Sequence, residues 1–235
     1  MRILLPIRAL SVMRMAQYGT TTRLFSRKPG ERPPLIPPKL KNRFYAMRHG
    51  NSEANQEGLI SSNPDVATHK HGLSSLGVEQ VVESVERFIG REGADVRTVK
   101  VFCSDFKRAA MTADMLAAGA RTVARRDIRI RERWFGELDN GPDDKYNDVW
   151  ERDETDADQE WKDVESVNKV RERASELVRE IETETREGEE ADVVLVAHGD
   201  VLQILMTAFD GVRGEDHRGL KHLETAEIRE LGGGN

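Results

Sequence analysis

Five side chains in this sequence have the chemistry to hold an anion and move protons: Arg48, His49, Arg108, Glu132 and His198. Two arginines supply fixed positive charge. Two histidines titrate near neutral pH and can act as nucleophile, base or donor. A carboxyl can pass a proton to and from a reacting group. Together they form a phosphate-handling set, although residue types alone leave open which histidine attacks.

A lone histidine is usually a core or loop residue. These five stand apart because the chain repeats one local design around them. Residues 43–47, aromatic and apolar, read as a buried strand that delivers Arg48 and His49 to its end, where Gly50 stops it. Residues 99–103 read as a strand that leads through Ser104 into a helix carrying Arg108. Residues 128–130, Ile-Arg-Ile, read as a strand running into Glu132 and closed by Gly136; residues 193–197 form another, ending at His198-Gly199. Open α/β sheets place their ligand sites at strand ends. If the four strands share one sheet, the five side chains converge on one pocket.

The spacing of these residues resembles a known family. Arg48-His49-Gly50-x-Ser52-x-x-Asn55, Ser104-x-x-x-Arg108-Ala109-x-x-Thr112-Ala113, Glu132-x-x-x-Gly136 and Ala197-His198-Gly199 are similar to four signatures of the histidine phosphatase (phosphoglycerate mutase-like) superfamily. They stand in the family's order and span residues 43 to about 231. The resemblance implies a three-layer α/β/α sandwich with a mostly parallel central sheet. It also implies catalysis by His49, Glu132 and His198, with Arg48, Asn55, Arg108, Ser52 and Gly199 binding substrate. His49 would attack phosphorus to give a phosphohistidine. Glu132 would protonate the leaving alcohol and then take a proton from the water that hydrolyses the intermediate. The arginines would carry the charge, so no metal or cofactor is expected. In the first motif the family often has Glu after His-Gly; this chain has Asn51, which is expected to change the pocket rim.

Composition narrows the setting. The chain has 235 residues, 37% hydrophobic and 33% charged, a length that buries one sizeable core. Its formal charge is −6, and residues 1–30 hold six basic groups and only uncharged residues besides. The rest of the chain is therefore strongly acidic, with no general attraction to nucleic acid or anionic membrane. A bound phosphate ester must be drawn by a local basic pocket. The single cysteine, Cys103, excludes an internal disulfide and sits in an apolar strand, where a buried small hydrophobe is the expected role.

Residues 1–28, with Arg2, Arg8, Arg14, Arg23, Arg27 and Lys28, have the composition of a transit peptide. Arg23-Leu24-Phe25-Ser26 resembles a mitochondrial processing site, so mitochondrial import is expected, with plastid and cytoplasm as alternatives. Residues 29–42 are a proline-rich linker, 43–231 the catalytic domain and 232–235 a tail. His69-Lys70-His71 lacks a third nearby metal ligand and reads as a solvated loop lending a cation to the substrate. Val78, Val81, Val82, Val85, Phe88 and Ile89 keep helical spacing and are expected to bury one face. Residues 137–163 are acidic, with Tyr146, Trp150 and Trp161 docking the segment. A charged amphipathic helix runs from Val164 until Gly188 ends it, residues 201–209 form a buried helix, and residues 226–231 a last edge strand.

The function expected is a metal-independent phosphomonoesterase acting on a small phosphorylated metabolite. A phosphoglycerate mutase, a protein phosphatase and an inactive binding module are the alternatives. Glu132 and His198 are 66 residues apart, and the acidic stretch between them is a poor cage for a bisphosphate. That favours water over a second hydroxyl as phosphate acceptor.

Overall fold

The computed structural model describes residues 35–91 and 98–232. The expected transit peptide lies outside the described residues.

Five strands form one sheet: β1 (Arg43–Arg48), β2 (Thr98–Cys103), β3 (Ala124–Arg126), β4 (Ala191–Ala197) and β5 (Ile228–Glu230), in the order β3-β2-β4-β1-β5. The pairings β1–β4, β2–β4 and β2–β3 are parallel; β5 joins β1 antiparallel at the edge. Strand β4 is buried at all seven positions, as a central strand covered on both faces must be. The period of two sorts its neighbours. Phe44, Ala46, Val193 and Leu195 face one side, with Leu177 and Ile181 of helix α6 (Val167–Glu184) and Leu202 and Leu205 of α7 (Gly199–Phe209). Tyr45, Met47, Val194 and Val196 face the other, with Val81 and Phe88 of α3 (Ser75–Ile89) and Ala113 and Leu116 of α4 (Lys107–Gly119). Two helical layers thus enclose a mostly parallel sheet, as expected.

Register brings the strand ends level. Arg48 pairs with Ala197 and Cys103 with Val196, so His49, His198 and Ser104 all leave the sheet at one edge. The ladder runs one step further through His49 N–H to Ala197 O at 3.0 Å and Ser104 N–H to Val196 O at 3.0 Å.

Four local expectations are corrected. Residues Ile128–Ile130 are a turn of 3₁₀ helix, not a strand; the strand lies just before, at β3. The carboxylate of Asp127 accepts the Arg129 N–H at 2.9 Å and turns the chain there. On α3, Val81 is buried, but Val78 and Val82 are 37% and 43% exposed. The helix's buried line instead runs Gly77, Val81, Ser84, Phe88. Helix α6 starts after Ser166, which caps it, and ends at Glu184, four residues before Gly188. Val164 precedes it in extended chain and packs with Ile60, Phe135, Leu138 and Val149.

The acidic segment 137–163 contributes α5 (Tyr146–Asp153) and short 3₁₀ turns. Its anchor is electrostatic as well as aromatic. Arg133, with its side chain fully buried, forks onto Asp153 at 2.6 and 2.9 Å. Gly136 makes the turn possible: its φ is +53°, and an added Cβ would lie 2.0 Å from Lys162 O. Among the described residues no helix is long and apolar enough to cross a membrane.

Candidate active site

Strand β1 ends at Arg48, and the next residue, His49, is buried at the sheet edge. Its Nδ1 lies 2.7 Å from Gly50 O. A carbonyl only accepts, so Nδ1 carries the proton and Nε2 presents a lone pair. That lone pair faces Arg108 Nε at 3.1 Å. Burial, then Arg108 and Arg48, hold the His49 pKa well below its ordinary value. The ring is therefore neutral at neutral pH, as a nucleophile must be.

Arg108 sits in the first turn of α4, buried, with Nη2 on Ser61 O at 2.9 Å and Nη1 near Ser61 Oγ at 3.4 Å. Thr112, one turn on, accepts the Gly50 N–H at 3.2 Å and locks the helix to the nucleophile loop. Arg48 reaches the pocket from β1, with Nη1 2.8 Å from His222 Nε2 and 3.0 Å from Leu223 O. Its Nε is buried with no protein partner.

His198 precedes α7, its ring 5.3 Å from that of His49. Ser104 Oγ accepts from Phe106 N–H at 3.2 Å and lies 2.9 Å from His198 Nε2, which fixes the His198 ring. Burial, then Arg108 and His49, hold its pKa well below the ordinary value. His198 is accordingly neutral at neutral pH. Beside it, the first-turn amides of α7 lack intrahelical partners and favour an anion. Gly199 opens this turn, and an added Cβ would lie 2.9 Å from His222 Cε1 and 3.3 Å from Arg48 Nε.

Glu132 is buried where these groups meet. Its Oε1 accepts the Arg133 N–H at 3.0 Å, and its Oε2 is 3.8 Å from both Arg108 Nη2 and His198 Nδ1. Burial, reinforced by Asp200 against the pull of Arg108, raises its pKa to about 7. Such a carboxyl is available as acid and as base near neutrality.

Four of the five side chains, Arg48, His49, Arg108 and Glu132, therefore line a cavity of about 180 Å³ together with Ser52, Asn55, Ser61, Asp143, Tyr146, Trp150, Asp200 and His222, and His198 lies buried behind it beside Glu132. A larger cavity of about 580 Å³ also reaches Glu132, but its cations Arg131, Lys169 and Arg173 are paired with Asp105, Glu160 and Glu165. It has little charge to spare for a phosphate.

A model of the histidine phosphatase superfamily (branch 1) matches residues 44–234. The chain belongs to that superfamily. No curated protein matches it in sequence. Among solved structures, it is similar to a mycobacterial glucosyl-3-phosphoglycerate phosphatase in complex with VO3. Identity there is 25%, with 80% of this chain and 91% of that one covered and a TM-score of 0.67. A further mycobacterial hydrolase shares 24% identity over 80% and 87% of the chains at TM-score 0.67. The α-ribazole phosphatase from Shigella flexneri shares 18% over 80% and 89%, at 0.59. The last two likenesses show the fold. The enzyme class expected, a phosphatase of this superfamily, stands.

Several members of the site differ from their expected use. In this histidine phosphatase, Ser52 and Asn55 form a capping box on helix α1 (Glu53–Glu57): Asn55 Oδ1 accepts from Ser52 N–H at 3.1 Å, and Ser52 Oγ accepts from Asn55 N–H at 3.2 Å. The Ser52 hydroxyl is spent there, and the Asn55 amide nitrogen is the end able to donate. Asn51 binds Ser74 Oγ through Oδ1 at 2.7 Å and does not line the cavity. Neither do His69 and Lys70, which are exposed. His71 instead meets Ser61 Oγ at 2.8 Å, behind Arg108. Sequence reasoning missed Ser61, Asp200 and His222. Asp200 directly follows His198-Gly199 and was within reach of the motif; the other two carry no local signal.

Proposed function

We propose that this protein is a metal-independent phosphomonoesterase that acts on a small phosphorylated metabolite through a phosphohistidine at His49. The observation that carries the reading is the His49 ring, with Nδ1–H fixed on Gly50 O and the Nε2 lone pair aimed beside Arg108. Arg48, Arg108, His198, the Asn55 amide and the first turn of α7 hold the phosphoryl oxygens and neutralise their charge. His49 Nε2 then forms the bond to phosphorus as the P–O bond to the alcohol breaks, and the Glu132 proton goes to the leaving oxygen. The Glu132 carboxylate next takes a proton from water, whose oxygen attacks phosphorus. The N–P bond breaks, inorganic phosphate leaves, and both residues are restored. The mycobacterial relative's action on glucosyl-3-phosphoglycerate supports a small-molecule substrate.

The test is brief reaction with a labelled phosphate donor. An acid-labile, base-stable label on His49, lost with turnover in His49→Ala, is expected. A label elsewhere, or full turnover by the variant, would overturn the assignment. Activity should also persist in EDTA, because arginines do the charge work.

A further inference from the structure

The cavity carries groups of both charge signs. Its two guanidiniums, Arg48 and Arg108, face the phosphoryl group in the reading above. Its lining also includes Asp143 at the rim and Asp200, which follows Gly199 on α7. Among the described residues no other lysine or arginine lines the cavity.

The nearest further cations are committed elsewhere. Arg133 is fully buried and forks onto Asp153 at 2.6 and 2.9 Å, touching Asp200 only at 3.3 Å. Arg218 lies over the Trp150 ring at 3.6 Å and bonds Gln203. Burial and Arg48 hold the His222 pKa below its ordinary value, so it adds no charge at neutral pH. Asp200 is itself buried; its Oδ1 accepts from Trp150 Nε1 at 3.0 Å, and His217 Nε2 is 3.8 Å away, beyond hydrogen-bond reach. Here one guanidinium serves two carboxylates. Asp200 has acceptor capacity left for whatever lies beside it.

We propose that the ester taken by this pocket has a hydroxylated leaving group without a second anion, and that Asp200, seconded by Asp143 at the rim, enforces that choice. The proposal rests on the phosphomonoesterase reading of the same site. A second phosphate or carboxylate would sit beside Asp200 with no cation to answer it, in a site where burial strengthens repulsion. A hydroxyl donates to Asp200 and accepts from neighbouring donors. The cavity, about 180 Å³, suits a phosphate with a short polyol.

Glycerol 3-phosphate and 3-phosphoglycerate test this directly, since they differ only in a terminal CH2OH or carboxylate. The full-length protein is assayed for kcat/KM on each, and each is titrated as a competitor of p-nitrophenyl phosphate hydrolysis. Glycerol 3-phosphate should be preferred roughly tenfold or more in both measurements. Asp200→Asn and Asp143→Asn should each shrink that preference by improving 3-phosphoglycerate. Equal or reversed preference in the native protein would overturn the proposal. So would an unchanged ratio in both variants, or failure of both esters to compete. Should Asp200→Asn not fold, the exposed Asp143 carries the same comparison. If p-nitrophenyl phosphate is not hydrolysed and no phosphohistidine forms, the phosphomonoesterase reading itself fails, and this proposal with it. If it is hydrolysed but 3-phosphoglycerate is preferred, only this proposal fails.

Discussion

Replacing Glu132 by glutamine separates the two proton transfers assigned to it. Glutamine keeps the shape and the acceptor for the Arg133 N–H, which Glu132 Oε1 takes at 3.0 Å, but it cannot donate or remove a proton as the carboxyl does. Positioned acid–base catalysis is worth roughly 10²–10⁴-fold, so kcat for an alkyl phosphate should fall by about that factor. p-Nitrophenolate leaves without a proton, so the first step on its ester should survive, whereas hydrolysis of the phosphohistidine still lacks its base. Rapid mixing of Glu132→Gln with p-nitrophenyl phosphate should therefore show a burst of about one nitrophenolate per site, followed by slow turnover. The native enzyme's pH profile checks the same idea. With a carboxyl near 7, only about 1% is protonated two units higher, so alkyl-ester turnover should fall about tenfold per unit above that point. Stability follows the same group. The folded carboxyl holds its proton more tightly than the usual 4.5 allows, so its contribution is intact below 4.5 and lost as pH rises through about 7. Glu132→Gln should thus be the more stable form at pH 8. Alkyl-ester kcat within a few-fold of native, or equal losses on both esters without a burst, would refute the assignment.

Three further outcomes are expected. His222→Ala frees Arg48 Nη1 from its 2.8 Å contact, so KM for phosphate esters should rise about tenfold with a smaller change in kcat. Arg133→Met leaves Asp153 buried without its fork, which should cost about 3–5 kcal/mol in denaturant unfolding. Residues 1–40 fused to a fluorescent reporter should direct it into mitochondria, as their acid-free, arginine-rich start implies; a reporter that stays in the cytosol would count against import.

The catalytic groups were legible because each stands in a short motif, and for Arg48, His49 and His198 that motif lies at a strand end, where backbone direction and residue type suffice. Arg48-His49 and Ala197-His198 needed only the parallel register of β1 and β4 to meet. Their supports were not legible. Ser61 reaches Arg108 across 47 residues and His222 reaches Arg48 across 174, and only the folded topology makes such pairs. Ile128-Arg129-Ile130 alternates like a strand, but three residues are too few to outweigh a turn fixed by Asp127. Val78 and Val82 share a helical face with charged residues because the small Gly77 and Ser84 let the packed line pass elsewhere. Ser52 and Asn55 matched a substrate-binding pattern, yet the same spacing builds a helix cap, and there the cap takes the hydroxyl.

The place of β1 in the sheet sets a schedule for the newborn protein. Strand β1, the first among the described residues, is hydrogen-bonded on one side by β4 and on the other by β5, the last two of them in chain order. Ala226 N–H closes on Arg48 O and His49 O, and Leu223 O holds the Arg48 guanidinium. Until residues 191–197 have been made, the nucleophile's strand has neither neighbour, and until residues 228–230 it has only one. Activity should then appear only after β5 is made, and a premature stop anywhere before residue 222 should leave none. Long-range pairing of this kind is also slow to form.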